Sequence, residues 1–336
     1  MTRRRIPDEV LSAAHARAEA RAARDWTEAD RLRAEIEAAG WKVADRGTDF
    51  ALTPSGPADL PEGDRIRYGT SASVPSRLDE PATGLATVVL IATEWPADLE
   101  RTLAGLRTRA PDGTSVVIVA DGPSPEQAAA LETLEGGSGG EAAAEDPPAD
   151  VPIEVVWTSE RLGHGAATNI GLRRAIGPVV VLLDTSVEPT GDLVTPLVRA
   201  LDDPTVAVVG GWGIVSTDMR KFEDAPTGDV DAIEGYLMSF RRADVAGRGP
   251  LDERFRFYRN LDIWWSLVLR DEGEEAAPRR AVRLDGLPAA RHEHRGYTSL
   301  SEAERDRLSK RNFYRIIDRF GWRRDLLVGG GRADAD

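Results

Sequence analysis

Four short apolar runs alternate with stretches of helical periodicity in the middle of the chain. The runs are rich in β-branched residues and predict buried strands at Thr87–Ala92, Ser115–Ala120, Ile153–Trp157 and Val179–Leu183. Apolar side chains at three- and four-residue spacing predict helices at Pro96–Arg109 and Ala166–Ala175. Apolar strands separated by helices indicate a parallel sheet covered on both faces. The sequence therefore predicts an α/β fold, and such folds bind ligands beyond the carboxyl ends of the strands.

The start of the chain has a different pattern. Residues 6–39 predict a helical hairpin that ends at Gly40, and residues 41–52 predict a small β-hairpin, so we expect an accessory module over 1–55. Residues 56–83 are rich in Pro, Gly, Ser and Asp and predict a linker. We expect the main domain over 84–325, with a low-complexity loop at 136–152 and a disordered tail at 326–336.

Composition excludes several classes of function. The 336-residue chain carries a net charge of -14, which argues against bulk electrostatic binding to nucleic acid or to an anionic membrane. It has no cysteine, which excludes disulfides, thiolate metal sites and thiol nucleophiles. No apolar run reaches the roughly 20 residues of a membrane-spanning helix, and no secretory signal is recognisable, so we expect a cytoplasmic protein.

The N-terminal run ARAARDWTEADRLRAEIEAAGWKVADRGTDFAL resembles the C-terminal module of cysteinyl-tRNA synthetases. The resemblance implies contact with RNA. The alternative is a small packing unit, including one that joins two copies of the chain in a homo-oligomer. Residues 1–50 hold ten basic and ten acidic side chains, so no surplus of positive charge favours strong nucleic-acid binding.

Blocks of sequence from residue 84 to about 300 carry a second resemblance. They read VVLIATEW, VVIVADGPS, ERLGHGAATNIGLRRAIG, VVVLLDTSVEP, GPLDERFRFYRNLDIWW and RHEHRGY. In this order they resemble the family 2 glycosyltransferases, whose fold is GT-A, a Rossmann-like, mixed and mostly parallel sheet with flanking helices. The resemblance implies transfer of a sugar, with inversion, from a UDP-, GDP- or dTDP-linked donor to an unknown acceptor hydroxyl.

The resemblance also implies a set of donor-binding residues: Thr93, Glu94, Asp121, Arg161, Gly163, Gly165, Asn169 and Asp184. Asp121 would accept a hydrogen bond from a base N–H, Arg161 would contact the diphosphate, and the two glycines would let the backbone approach the ligand. Structural roles remain open for some of them. The Asp-Gly pair at residue 121 is also ordinary turn chemistry, and Asn169 is also typical of a buried amide that holds a loop.

A divalent metal, Mn²⁺ or Mg²⁺, is implied at the strand end that carries Asp184. The family has a D-x-D pair here, and this chain has Ser186 in place of the second carboxylate. By resemblance the ligands are Asp184, Ser186 and His294, with His292 as the alternative histidine and Glu188 as a substitute carboxylate. A hydroxyl is a weaker ligand for such cations than a carboxylate, so metal use stays open.

The family's acidic E-D-x-D block becomes Asn260-Leu261-Asp262. An inverting transfer needs a carboxylate that takes the proton of the acceptor hydroxyl, and we assign this catalytic role to Asp262. In a different alignment Asn260 stands where the base belongs, and an amide is not a base. The altered motifs therefore leave a second hypothesis, a catalytically degenerate scaffold that binds a nucleotide sugar without turnover.

Overall fold

The structure is a computed structural model that describes residues 6–47, 49–54, 56–136 and 151–329. The predicted low-complexity loop and the predicted tail lie largely outside the described residues. The chain divides into two compact units, Met1–Thr70 and Ser71–Asp336, and the division falls inside the range predicted as a linker. Among the described residues no helix is long and apolar enough to cross a membrane.

The first unit is a helical hairpin followed by two β-hairpins. Its elements are α1 (Asp8–Ala22), α2 (Trp26–Ala38), β1 (Trp41–Arg46), β2 (Asp49–Pro54), β3 (Leu60–Glu62) and β4 (Arg65–Tyr68). Ala14, Ile36 and Trp41 are fully buried and form the centre of a small core. The buried Arg17 donates to Asp45 at 2.7 Å, which ties α1 to β1. The second hairpin, β3–β4, lies within residues that the sequence pattern predicts as a linker.

The second unit alternates strands and helices in its first half and is richer in short strands afterwards. Its elements in chain order are β5 (Ala86–Ala92), α3 (Pro96–Arg109), β6 (Thr114–Ala120), α4 (Pro125–Gly136), β7 (Ile153–Thr158), α5 (His164–Arg174), β8 (Val179–Leu183), β9 (Val187–Pro189), α6 (Val194–Ala200), β10 (Val206–Gly210), β11 (Gly213–Ser216), β12 (Phe222–Asp224), β13 (Gly228–Val230), β14 (Ala232–Ile233), β15 (Leu237–Arg241), α7 (Arg242–Arg248), α8 (Leu261–Arg270), β16 (Arg280–Arg283), β17 (Ala289–Arg291), α9 (Arg295–Thr298) and α10 (Glu302–Phe320).

Eight strands of this unit lie in one sheet in the order β13-β16-β10-β15-β8-β5-β6-β7. The pairs β5–β6, β6–β7 and β5–β8 are parallel, whereas β15 runs antiparallel to both β8 and β10. The mixed, mostly parallel sheet confirms the predicted fold class. In the sheet, β6 lies on one side of β5 and β8 lies on the other, so the order in which strands are added reverses direction after β7. A change of direction of this kind opens a crevice at the carboxyl ends of the strands, where ligands bind in open α/β sheets.

Close packing of α5 on the sheet fixes the loop that precedes this helix. Residues Gly165–Leu172 of α5 are buried without a break. A Cβ on Gly171 would lie 2.2 Å from Cγ1 of Val89 in β5, so only glycine allows the helix to lie this close to the strand. The start of α5 is thereby held at the edge where β5, β6 and β8 end.

Candidate functional site

A cavity of about 830 Å³ opens at the carboxyl ends of β5, β6, β7 and β8. Its walls come from the loops that follow these strands, from the segment before α8 and from the segment after β17. Most of the residues predicted to form the site line it: Thr93, Glu94, Asp121, Arg161, Gly163, Asp184, Ser186, Asp262 and His294. The volume is of the size that accommodates a small-molecule ligand.

Asp121 follows β6 and is 2% exposed. Its Oδ1 accepts from the backbone N–H of Leu162 at 2.6 Å, and its Oδ2 accepts from that of Gly163 at 3.1 Å. Burial raises the pKa of the Asp121 carboxyl, although the two backbone N–H groups oppose this. The carboxylate therefore holds the loop between β7 and α5 against the end of β6. Contact with a nucleotide base stays a prediction for this residue.

Two of the predicted donor-binding residues do not line the cavity. The buried amide of Asn169 donates to the Leu251 carbonyl and to Glu253, and it accepts from the Leu251 N–H at 2.9 Å. A Cβ on Gly165 would lie 2.9 Å from the Asp252 carbonyl oxygen. Both residues serve the packing of α5 against the segment before α8. Their contact with the donor stays a prediction. Gly163, in contrast, lines the cavity at φ +97°, a backbone conformation that favours glycine.

Asp184 lies at the end of β8 and is the centre of a hydrogen-bonded group. Its Oδ1 accepts from the Ser186 N–H at 2.8 Å and from the Ser186 hydroxyl. Its Oδ2 lies 3.3 Å from Nε2 of His294. Burial by itself favours the neutral acid, but His294 and Ser186 outweigh it and lower the pKa of Asp184. Since the Ser186 hydroxyl already donates to the carboxylate, it positions Asp184, and its predicted role as a metal ligand stays a prediction.

His294 reaches Asp184 because the strand pair β9–β17 places the end of β17 beside the end of β8. The imidazole stacks on Tyr258 with 4.5 Å between ring centroids, and its Nδ1 accepts from the Tyr297 N–H at 3.1 Å. Burial opposes protonation of this ring, yet Asp184 raises the pKa of His294 above its usual value. The alternative histidine, His292, bonds instead to Glu188 at 2.8 Å. The structure thus separates the two histidines of the HEH run.

Asp262 lies in the first turn of α8. Its Oδ2 accepts from the Gly235 N–H at 2.9 Å and its Oδ1 from the Ile263 N–H at 2.9 Å. Burial raises the pKa of Asp262 against the effect of these N–H groups. The neighbouring Asn260 has a left-handed backbone with φ +69°, and its side chain donates to the Ser309 carbonyl at 3.0 Å. Asn260 therefore has a structural function, holding the start of α8 against α10.

The cavity also contains functional groups to which the sequence analysis gave no role. They are the cations Arg220, Arg256, Arg259 and Arg295, the carboxyl of Glu234, and the rings of Tyr236 and Tyr258. Arg161 lies 3.3 Å from Glu94, and Arg295 lies 3.5 Å from Asp98. Arg256, Tyr258 and Arg259 stand within the FRFYRNLD run, so nearness to Asp262 in the sequence was a signal for them. No local signal marked Arg220 or Glu234.

The sequence profile described as Glycosyl transferase family 2 matches residues 87–254, half of the chain. The matched range supplies the strands and loops around Asp121 and Asp184. The chain belongs to glycosyl transferase family 2. No curated protein sequence matches the chain.

Solved structures resemble this family member at low sequence identity. GalNAc-T7, solved with UDP, GalNAc and Mn²⁺, has a TM-score of 0.52 at 16% identity, over 70% of this chain and 48% of that one. The mannosyltransferase PcManGT from Pyrobaculum calidifontis, in complex with GDP-Man and Mn²⁺, has a TM-score of 0.47 at 19% identity, over 68% of this chain and 62% of that one. S. aureus TarS in complex with UDP has a TM-score of 0.45 at 14% identity, over 70% of this chain and 72% of that one. The likeness to GalNAc-T7, with its TM-score above 0.5, supports a GT-A-like fold. The chain spans less than two thirds of the first two proteins.

Proposed function

We propose that this glycosyl transferase family 2 protein moves a sugar from a nucleoside diphosphate donor to the hydroxyl of an acceptor, with inversion at the anomeric carbon. The observation that carries the proposal is the cavity at the switch point of the sheet, into which Asp121, Asp184 and Asp262 come from three different elements. Sequence motifs that are far apart in the chain thus meet around one ligand-sized space.

The positive charges of the cavity match the negatively charged diphosphate of the donor. Arginines 161, 220, 256, 259 and 295 line the cavity, and Arg220, Arg256 and Arg259 have no ion pair with any described residue. Arginine binds phosphate oxygens through a planar set of N–H donors. Gly163 lets the backbone approach a ligand at the same wall. A UDP-, GDP- or dTDP-sugar meets these requirements, and the acceptor's identity is left open by them.

A divalent cation fits beside Asp184 only in part. The facing atoms of Asp184 and His294 are 3.3 Å apart, close to the roughly 3 Å between adjacent ligands of an octahedral Mg²⁺. Within the described residues, however, no group of three or more His, Asp or Glu side chains is arranged to hold a metal ion. Diphosphate oxygens and water would have to supply the other ligands. A bound Mn²⁺ or Mg²⁺ would neutralise charge on the departing diphosphate.

A carboxylate next to the acceptor hydroxyl is the remaining requirement of an inverting transfer. Asp262, which the sequence analysis singles out, and Glu234, which the structure adds, both line the cavity. These two carboxyls come from different elements, α8 and the segment between β14 and β15.

Calorimetric titration with UDP-, GDP- and dTDP-sugars, with and without Mn²⁺, tests the proposal when it is combined with an assay for released nucleoside diphosphate. We expect one donor to bind and to be turned over, and Asp184→Asn to reduce both. Asp202→Asn makes the same chemical change at an exposed position outside the cavity and should leave both unchanged. Absence of binding by every donor would overturn the proposed function.

A non-catalytic scaffold is the second candidate. It is favoured by the engagement of Ser186, which stands where the family has a carboxylate and whose hydroxyl is held by Asp184. Donor binding without release of nucleoside diphosphate, across a range of acceptor sugars and lipids, would support the scaffold and contradict the enzyme.

A further inference from the structure

Glu234 is a carboxylate in the cavity with no hydrogen-bond or ion-pair partner among the residues that the structure describes. It lies between β14 and β15, and its backbone N–H donates to the Trp212 carbonyl at 2.9 Å, which fixes the main chain from which the side chain projects. The half-buried side chain lines the cavity and makes no hydrogen bond or ion pair with the residues that the structure describes. Partial burial without a compensating partner disfavours the ionised form of a carboxylate, and groups perturbed in this way are characteristic of functional sites.

Asp262 differs from Glu234 in this respect. Each of its two oxygens accepts a backbone hydrogen bond at 2.9 Å, one from Gly235 and one from Ile263. These bonds occupy both oxygens and favour the ionised form, although burial outweighs them and raises the pKa of Asp262 overall. The bond to Gly235 also holds the residue that directly follows Glu234. The geometry of Asp262 therefore suits a residue that fixes the loop carrying Glu234.

The charged groups around Glu234 have opposing effects on its proton affinity. Burial is the largest effect, and with the carboxylates of Asp262 on α8 and Asp224 on β12 it raises the pKa of Glu234 to about 7. Arg291 on β17 and Arg283 on β16 oppose this rise. A base whose pKa is near the working pH combines a useful ionised fraction with a strong attraction for a proton.

We propose that Glu234 is the catalytic base of this chain and that Asp262 is the positioning residue that holds the Gly235 backbone beside it; this inference rests on the proposed function. In the transfer, a lone pair of the acceptor oxygen forms the bond to the anomeric carbon. The bond from that carbon to the β-phosphate oxygen breaks, and its electron pair leaves with the nucleoside diphosphate. The acceptor's hydroxyl proton goes to the Glu234 carboxylate and from there to solvent.

The experiment measures release of nucleoside diphosphate from the UDP-, GDP- or dTDP-sugar that the wild type turns over, with water as the acceptor. We expect Glu234→Gln to lower kcat by about 10²–10⁴-fold, the range for loss of a general base, with UDP affinity unchanged. Glu223→Gln, on an exposed neighbouring carboxylate, is the matched control and should keep wild-type activity. Glu234→Ala should regain part of its lost activity in sodium formate, which supplies a carboxylate of small size.

The pH profile of kcat/KM separates the base from the positioning residue. The wild type should lose activity below about pH 7, where Glu234 becomes protonated. This acidic limb should vanish in Glu234→Gln, and in Asp262→Asn it should persist at lower pH because a neighbouring negative charge is gone. The inference would be overturned if the acidic limb persisted in Glu234→Gln, or if the kcat of this variant were within twofold of the wild-type value. If the wild type itself releases no diphosphate from any donor, with water or with the acceptor sugars and lipids, the proposed function fails instead.

Discussion

Asp121→Asn removes one hydrogen-bond acceptor from the support of the loop between β7 and α5. The asparagine oxygen can replace only one of the two carboxylate oxygens that accept from Leu162 and Gly163. Its NH₂ group then faces the other backbone N–H, which is left buried without an acceptor. A buried unsatisfied donor costs about 1–3 kcal/mol, so we expect a loss of about 2 kcal/mol in the free energy of unfolding. In a domain of this size the loss corresponds to a Tm lower by roughly 4–8 °C.

The assay is thermal and urea unfolding at pH 8, together with calorimetric titration of UDP. Affinity for UDP should fall as well, since the loop carries Arg161 and Gly163 into the cavity. Asp202→Asn is the control for the chemical change, because Asp202 is exposed and lies outside the cavity. If Asp121→Asn is no less stable than Asp202→Asn, the carboxylate does not hold the loop and the assignment is refuted.

Three further predictions test other parts of the site. Gly163→Ala should lower the free energy of unfolding by about 1–3 kcal/mol, measured with denaturant, since φ is +97° and a Cβ would lie 2.9 Å from Cα of Arg256. Gly247→Ala, on a helix with free space around it, is the control and should not lower it. Equal effects of the two substitutions would contradict the argument. Glu234→Gln should have a higher Tm than the wild type at pH 8 but not at pH 4.5. The pKa of Glu234 in the folded state is about 7, above the ordinary 4.5, so the wild type loses stability as pH rises from 4.5 to 7. A gain in Tm that does not depend on pH would contradict this argument. Asp184→Asn should weaken UDP binding in Mn²⁺ by about tenfold or more and change it less in EDTA, and an unchanged Mn²⁺ effect would show that Asp184 holds no cation.

The strands and several residues of the cavity walls could be predicted from local sequence. Val88 and Ile118 lie in strands buried on both faces, and such strands read as continuous apolar runs that need no knowledge of their partners. Asp121 and Asp184 follow two of these runs directly. Since parallel strands end at one edge, their convergence could be predicted from order along the chain alone.

Asn169 and Gly165 show where local sequence leaves a residue's role open. Both belong to the run of the sequence that resembles the donor-binding motif, and local sequence does not tell which side of a buried helix faces a ligand. The structure places the Asn169 amide against Leu251 and Glu253, which come from a distant part of the chain. A satisfied buried amide and a ligand-binding amide differ only in their neighbours.

Local sequence determined the apolar strands, the helices between them and the strand ends that carry carboxylates. Only the tertiary structure decided that His294 meets Asp184 through the pairing of β17 with β9, and that Glu234 lies in the cavity unpaired with any described residue. Burial of a strand is encoded within the strand itself, because its own side chains supply the apolar surface. The neighbours of one polar side chain depend on how remote segments pair and pack, and the free energy that selects this pairing is shared over the whole domain.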